Sequence, residues 1–312
     1  MEHIPENDLL EFNPNMLQNI RKQYNFEKPG DMDRAIDILD LWIKKQRHFM
    51  KKEFPRSYLE NMIMTNKGSI ERAKNKLDKI CTFRTIMPDF FGENLTKNNF
   101  GNMDELLNVI LPKQTDSNHR VYILKNIGKS FTSEQFSNYY KYIILICEYL
   151  LAYDCSDGLM IIMDYTDANL FEVVKALNLV ETRQIVSIIT EGFGMRIKGI
   201  HLISTSKAVE TLVTLLKQVL TTKLGERICV HKDISTVYQY IPKDIMPSEY
   251  GGKEKSLRKL RDEVMDKLTS NNFVKYIEEM NQAKTDESCR QSDKFNEQYM
   301  GMPGSFRVLS VD

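Results

Sequence analysis

The sequence predicts an α/β protein whose mainly parallel sheet is preceded by a small all-α region. Three observations carry this. Residues 1–92 show helical periodicity with little β signal. Residues 93–270 alternate short, near-continuous apolar runs with long helical patterns, the signature of βαβ crossovers. Turn-forming residues gather between the two, and a C-terminal helix and tail, 271–312, complete the chain.

Composition bounds the function. At roughly 150 residues per domain, 312 residues suggest about two domains, enough to bury a core without metal or disulfide support. With 43 Lys+Arg against 43 Asp+Glu, no whole-surface basic field exists to hold nucleic acid. The longest apolar run, Tyr142 to Ala152, is interrupted by Glu148 and is shorter than the ~20 residues of a bilayer span. Glu2, Glu6 and Asp8 stand where a secretory leader carries positive charge. Cys81, Cys147, Cys155, Cys229 and Cys289 are odd in number and scattered, so the expected address is the reducing cytoplasm.

In order along the chain, Asp33 to Phe49 places Ile36, Leu39, Leu41, Trp42 and Ile43 on a broad apolar surface, and Tyr58 to Met64 adds a short apolar segment before Gly68. Ser69 opens a third helix in which Ile70, Ala73, Leu77 and Ile80 recur at helical spacing. Pro88, Gly92, Asn94, Asn98, Asn99 and Gly101 mark a linker. Four strands are expected after it, at Val121 to Asn126, Leu159 to Met163, Ile200 to Ile203 and Ile228 to Val230. The helices between them are Ser133 to Leu151, Leu170 to Glu191 and Ser206 to Leu220. The polar tail beyond Asn281 ends in a small apolar cluster of Phe306, Val308 and Leu309, open to two readings, mobile or docked on the body.

Catalysis has no anchor in the sequence. Gly128, Lys129 and Ser130 imitate the end of a phosphate loop but lack its first glycine. No Gly-x-Ser-x-Gly elbow is present. His48, His119, His201 and His231 lack the partners of a zinc site, and His201 and His231 read as structural histidines of strands. Asp154, Asp157, Asp164 and Asp167 sit where loops begin, which favours turn formation and capping over metal or acid-base chemistry.

Two features stand out. Along Ser206 to Thr221, Ala208, Val209, Leu212, Val213, Leu215, Leu216, Val219 and Leu220 make one wide apolar face. Such a helix can cover a sheet, roof an apolar cavity or press onto a membrane. From Arg196 to Lys232, seven basic residues face only Glu210 and Glu226, enough for one anion-attracting face on a neutral protein or for an ordinary solvated surface. No aromatic platform accompanies them, so nucleic acid is not expected.

The stretches Arg196 to Ser204 (RIKGIHLIS), Leu215 to His231 (LLKQVLTTKLGERICVH) and Ile241 to Gly252 (IPKDIMPSEYGG), with Ser69 to Phe90 upstream, resemble the CRAL-TRIO, or Sec14-like, lipid-binding family. The resemblance covers roughly residues 30 to 270 and is nearest to the animal tocopherol-transfer and retinaldehyde-binding-like branch, greatly expanded in insects. It implies an α/β lipid-binding domain in which the sheet floors an apolar cavity and the helix over Ser206 to Leu220 is a movable gate, formed by Val209, Leu212, Val213, Leu216, Val219 and Leu220. Tyr142, Tyr149, Tyr153 and Ile162 are expected to line the cavity, within a tyrosine group that also includes Tyr139 and Tyr140. By motif, Arg196, Lys198, Lys223 and Arg227, with Lys217 in the gate, are expected to meet a phosphoinositide headgroup. In Ile63 to Ser69, Thr65 replaces a basic residue of the relatives and Lys67 keeps one charge.

The function so implied is non-enzymatic binding and transfer of a small hydrophobic lipid such as a tocopherol, retinoid or carotenoid, with the gate opening at anionic phosphoinositide-containing membranes. No cofactor or metal is expected beyond the bound lipid. The partners are the ligand and a peripheral anionic membrane surface, and the protein is expected to be a cytoplasmic monomer that associates with membranes transiently. The alternative is a phosphoinositide-dependent signalling or trafficking adaptor without a transfer activity.

Overall fold

The computed structural model describes residues 7–91 and 104–290. The expected linker from Gly92 to Gly101 and the cluster of Phe306, Val308 and Leu309 lie outside the described residues. The N-terminal helices are α1 (Met16–Gln23), α2 (Asp31–Lys45), α3 (Arg56–Thr65) and α4 (Ile70–Ile86), of which α2, α3 and α4 pack on one another. In α2 the apolar stripe buries Ile36, Leu39 and Ile43 but leaves Leu41 exposed. That helix stops short of Phe49 because Gln46 turns to an extended backbone, and Phe49 bridges to Thr285. Ser69 caps α4 by accepting from the Arg72 amide.

Among the described residues the chain forms a five-stranded sheet: β1 (Leu106–Ile110), β2 (His119–Asn126), β3 (Gly158–Asp164), β4 (Ile197–Ile203) and β5 (Ile228–His231), in that spatial order. β1 runs antiparallel to β2 and the remaining pairs are parallel. The sequence reading missed β1, whose apolar run is broken by Asn108. That side chain is buried and accepts the Tyr122 hydroxyl at 2.6 Å, so its polarity is satisfied within the sheet.

The crossovers are α5 (Ser133–Tyr153), then α6 (Leu170–Ala176) with α7 (Leu179–Ser187), then α8 (Ala208–Val219) with α9 (Thr222–Gly225). Thr132 and Gln135 form a reciprocal capping box at the start of α5. The single helix expected over Leu170 to Glu191 is corrected to two helices and a π-helical turn, Ile188–Gly192. The break occurs because the Asn178 side chain accepts from the Val180 and Glu181 amides and starts a new helix.

Strand periodicity sorts the sheet into two faces. One lateral row runs Tyr122, Ile161, Ile200, Ile228, and the next runs Ile123, Ile162, His201, Cys229. Tyr122, Leu124 and Leu202 belong to the same apolar cluster as α5 and α8. Val121, Ile123, Met160, Ile162 and Ile203 belong to a second cluster with Val237, Ile241, Met246, Tyr250 and the start of α10 (Leu257–Leu268). Ile162 lies in this second cluster, on the sheet face opposite the one that α8 covers.

The loop between β5 and α10 is fixed by Gly251, at φ +68°, and Gly252, where a Cβ would stand 1.8 Å from the Met246 carbonyl oxygen. Helix α11 (Asn271–Asn281) leads the chain back to the N-terminal helices. There the Met50 amide donates to Lys284 O at 3.0 Å and the Asp286 amide to His48 O at 2.7 Å.

Candidate functional site

α8 packs against α6 and α7. Its Val209, Leu212 and Val219 are buried, while Val213, Leu216 and Leu220 are partly buried. The opposite side, with Glu210, Thr211, Thr214, Lys217 and Gln218, faces solvent. α8 is thus an amphipathic cover over an apolar interior, held at its last turn where Arg183 of α7 donates to the Gln218 carbonyl at 3.1 Å. Beside it, Phe171 of α6 is 65% exposed and Val180 of α7 is 44% exposed.

The tyrosines of α5 divide between two sides. Tyr149 donates to Asn7 Oδ1 at 2.9 Å and meets Phe273 of α11 edge-on, and Tyr153 lies against Tyr276 of the same helix. Tyr142 is buried within the electrostatic reach of Arg261 of α10. Tyr149 and Tyr153 thus meet α11, and Tyr142 lies in the same buried apolar cluster as Tyr122 and the buried residues of α8. One step around the helix, Tyr140 exchanges a 2.8 Å hydrogen bond with Thr182 of α7, and Tyr139 is hydrogen-bonded to Tyr122 of β2. Burial pushes the Tyr140 phenol up to about 12 and raises that of Tyr122 and Tyr139 well above the usual range, so all three stay neutral donors. The sheet side of α5 thus carries hydroxyls inside an apolar cluster.

The basic residues also divide. Arg196 and Lys198 flank the start of β4, and Lys223 lies in α9. Their charges act on Lys67, in the left-handed turn between α3 and α4 (φ 59°). The neighbouring charges of Arg196 and then Lys223, joined by Arg72 and Lys198, hold the Lys67 ammonium below its ordinary pKa. Five cations from the N-terminal helices, β4 and α9 therefore share one field. Arg227 instead turns inward to the Ile197 carbonyl, and the Lys217 stem packs near Gly225. Lys67 stood out in the sequence only as a retained charge and Arg72 not at all, since the signal that joins them to position 196 is spatial.

Asp157, in the turn before β3, faces this field. It accepts from Arg196 Nη1 at 2.7 Å, Lys198 Nζ at 2.7 Å and the Tyr24 hydroxyl at 2.6 Å. These bonds hold its carboxyl below the usual range despite burial. Close to it, a Cβ on Gly158 would meet the Arg196 carbonyl oxygen at 2.6 Å and Lys198 Cε at 2.7 Å.

Residues 104–252, which hold this sheet and its amphipathic helix, match the family described as the CRAL/TRIO domain. The chain carries a CRAL/TRIO domain. Beyond the domain, it is similar to alpha-tocopherol transfer protein-like of Mus musculus, 21% identical over 233 residues, covering 72% of this chain and 66% of that one. The human and Pongo abelii proteins of the same name are 26% identical over 97 residues, which is 31% of this chain and 28% of each of theirs. The chain thus spans just under two thirds of the mouse relative and less than a third of the other two. Among solved structures, the crystal structure of Sfh5 aligns with a TM-score of 0.49 at 12% identity, covering 87% of this chain and 98% of that one.

Of the four aspartates singled out in the sequence, the other three, Asp154, Asp164 and Asp167, are also held by cations. Asp154 forms a two-point ion pair with buried Arg120 at 2.9 and 3.2 Å. Asp164 binds Lys125 at 2.9 Å and accepts the Tyr250 hydroxyl at 2.7 Å, and Lys125 also reaches Asp167. The expected capping role survives at Asp164, which accepts from the Thr166 amide. Among the described residues no group of three or more His, Cys, Asp or Glu is arranged to hold a metal ion, and no helix is long and apolar enough to cross a membrane. His201 and His231 bond each other at 3.0 Å on the sheet face opposite α8.

Proposed function

We propose that the protein is a non-enzymatic carrier of a small hydrophobic lipid, loaded and unloaded at anionic membranes. The observation that carries the reading is the convergence of Lys67, Arg72, Arg196, Lys198 and Lys223 into one field on a chain of zero formal net charge. Such a field attracts an anionic headgroup and is relieved by it. The family resemblance supports a phosphoinositide as that headgroup, and the names of the relatives support a tocopherol-like cargo.

The cargo would lie between α8 and the sheet face of Tyr122, Leu124 and Leu202, where burying it contributes roughly 25 cal/mol for each Å² of apolar surface. A ligand with one polar tip would be met by the neutral Tyr140 hydroxyl in exchange for Thr182, since a buried unpaired hydroxyl is costly. Phe171 and Val180, exposed beside α8, would meet a bilayer that approached that helix. Contact there would free the apolar face of α8 to turn from the sheet to the bilayer. Nothing in this cycle requires bond chemistry, and the location it implies is cytoplasmic with transient membrane contact.

The test is transfer of a fluorescent tocopherol between vesicles, alongside native mass spectrometry of the purified protein. Wild-type protein is expected to carry one lipid and to transfer it faster to vesicles that contain phosphatidylinositol bisphosphate. A basic residue near the surface contributes about 1 kcal/mol, so Lys67→Gln with Lys223→Gln is expected to weaken vesicle binding roughly 30-fold. Binding without a bound lipid or transfer would make the protein an adaptor and overturn the carrier reading.

A further inference from the structure

We infer that Asp157 is a specificity-determining residue of the basic site, a built-in counter-anion that admits a polyphosphorylated headgroup and turns away a singly charged one. The inference rests on the docking reading above and adds what decides among anionic lipids.

The geometry is that of an anion already in its site. The Asp157 carboxylate receives Arg196, Lys198 and the Tyr24 hydroxyl at 2.6–2.7 Å, the donors a phosphate would take. Its own amide donates to Asn118 O at 2.9 Å, which anchors the residue behind the cations. Arg196 stands over the Tyr24 ring at 5.6 Å, so the guanidinium is fixed from a second direction. Among the described residues no other carboxylate is paired with Lys67, Arg72, Arg196, Lys198 or Lys223. The site therefore holds one internal negative charge against five positive ones.

This arrangement sets a charge threshold. A headgroup with one negative charge gains little at Arg196 and Lys198, because it replaces an equal charge that is already ordered and linked to the chain. A phosphate monoester carries about −1.5 to −2, and a headgroup with two of them exceeds the carboxylate while also reaching Lys67, Arg72 and Lys223. Lipid discrimination then comes from displacing an internal competitor, which penalises the wrong headgroup as well as favouring the right one.

The test compares binding to phosphatidylcholine vesicles containing either phosphatidylserine or phosphatidylinositol bisphosphate, at matched total charge. Asp157→Asn is nearly isosteric and uncharged. It is expected to bind phosphatidylserine vesicles about tenfold tighter than wild type and so to narrow the preference for bisphosphate. Asp157→Glu, which keeps the charge, is expected to keep the preference. Soluble inositol trisphosphate should compete in both proteins, whereas inorganic phosphate should compete only in Asp157→Asn. If the Asn variant does not fold, the carboxyl carbon of Asp157 in wild-type protein is followed by NMR. It should shift on addition of inositol trisphosphate and not of inorganic phosphate, and no shift with either overturns the inference. A folded Asp157→Asn with the wild-type lipid preference also overturns it. The docking reading fails separately, if Lys67→Gln with Lys223→Gln binds every vesicle as wild type does.

Discussion

His201 and His231 lie side by side on β4 and β5, each nitrogen-bonded to the other, and His231 also bonds Thr236 at 2.7 Å. Burial, reinforced by the neighbouring imidazole, lowers His201 to about 4, and burial lowers His231 as well. His119, at the start of β2, is lowered to about 4, first by burial and then by Lys198. These groups are neutral in the folded protein, whereas the unfolded chain takes up their protons near the ordinary 6.5. Their stability contribution is therefore complete above about pH 6.5 and declines as the pH falls toward about 4, where the folded form also protonates. The melting temperature is expected to drop over that window, and His119→Gln with His201→Gln should flatten the profile. The sequence marked His201 and His231 as structural; that they pair with each other follows from strand register, which no local pattern encodes.

At the scale of elements, the amphipathic pattern of Ser206 to Leu220 was legible because helical spacing alone puts its apolar residues on one side. What holds the helix down was not. Arg183 and Gln218 are joined by one exposed hydrogen bond between α7 and α8. Such a bond contributes about 1 kcal/mol, so Arg183→Ala is expected to speed ligand release roughly fivefold with little change in melting temperature, read by stopped-flow release of a fluorescent lipid. The lining residues on α5 show the limit of reading elements singly. Tyr139, Tyr140, Tyr142, Tyr149 and Tyr153 are all on or beside one helix, and periodicity separates them into faces without saying which face meets the sheet. Packing decides that, because α11, far along the chain, meets Tyr149 and Tyr153. Ile162 is a parallel case, since an uninterrupted apolar strand has apolar residues on both faces.

Across the whole molecule, a fully buried ion pair joins Arg84 of α4 to Glu148 of α5, with the Phe91 ring 5.6 Å from the guanidinium. Burial raises the Glu148 carboxyl, and Arg84 opposes that shift. The pair ties the N-terminal helices to the first crossover of the sheet. Removing one partner strands a buried charge, at a cost of about 3–5 kcal/mol, so Arg84→Met or Glu148→Leu alone should lower stability strongly in urea unfolding. The double replacement should recover much of the loss, because two apolar side chains need no partner. From the other end of the chain, Arg290 bonds Asp78 of α4 at 2.8 and 2.9 Å, so the segment after α11 closes on the same helix.

By itself the sequence determined the order and kind of most elements, the amphipathic cover helix, the absence of a motif for catalysis and the family to which residues 104–252 belong. These follow from spacing within a dozen residues or from contiguous motifs, and both are written along the chain. Only the tertiary structure decided which charges share a field. Lys67, Asp157 and Lys223 lie far apart in sequence, and a Coulomb interaction depends on distance in space, so their common site exists only once the N-terminal turn, the start of β3 and α9 have been folded against one another.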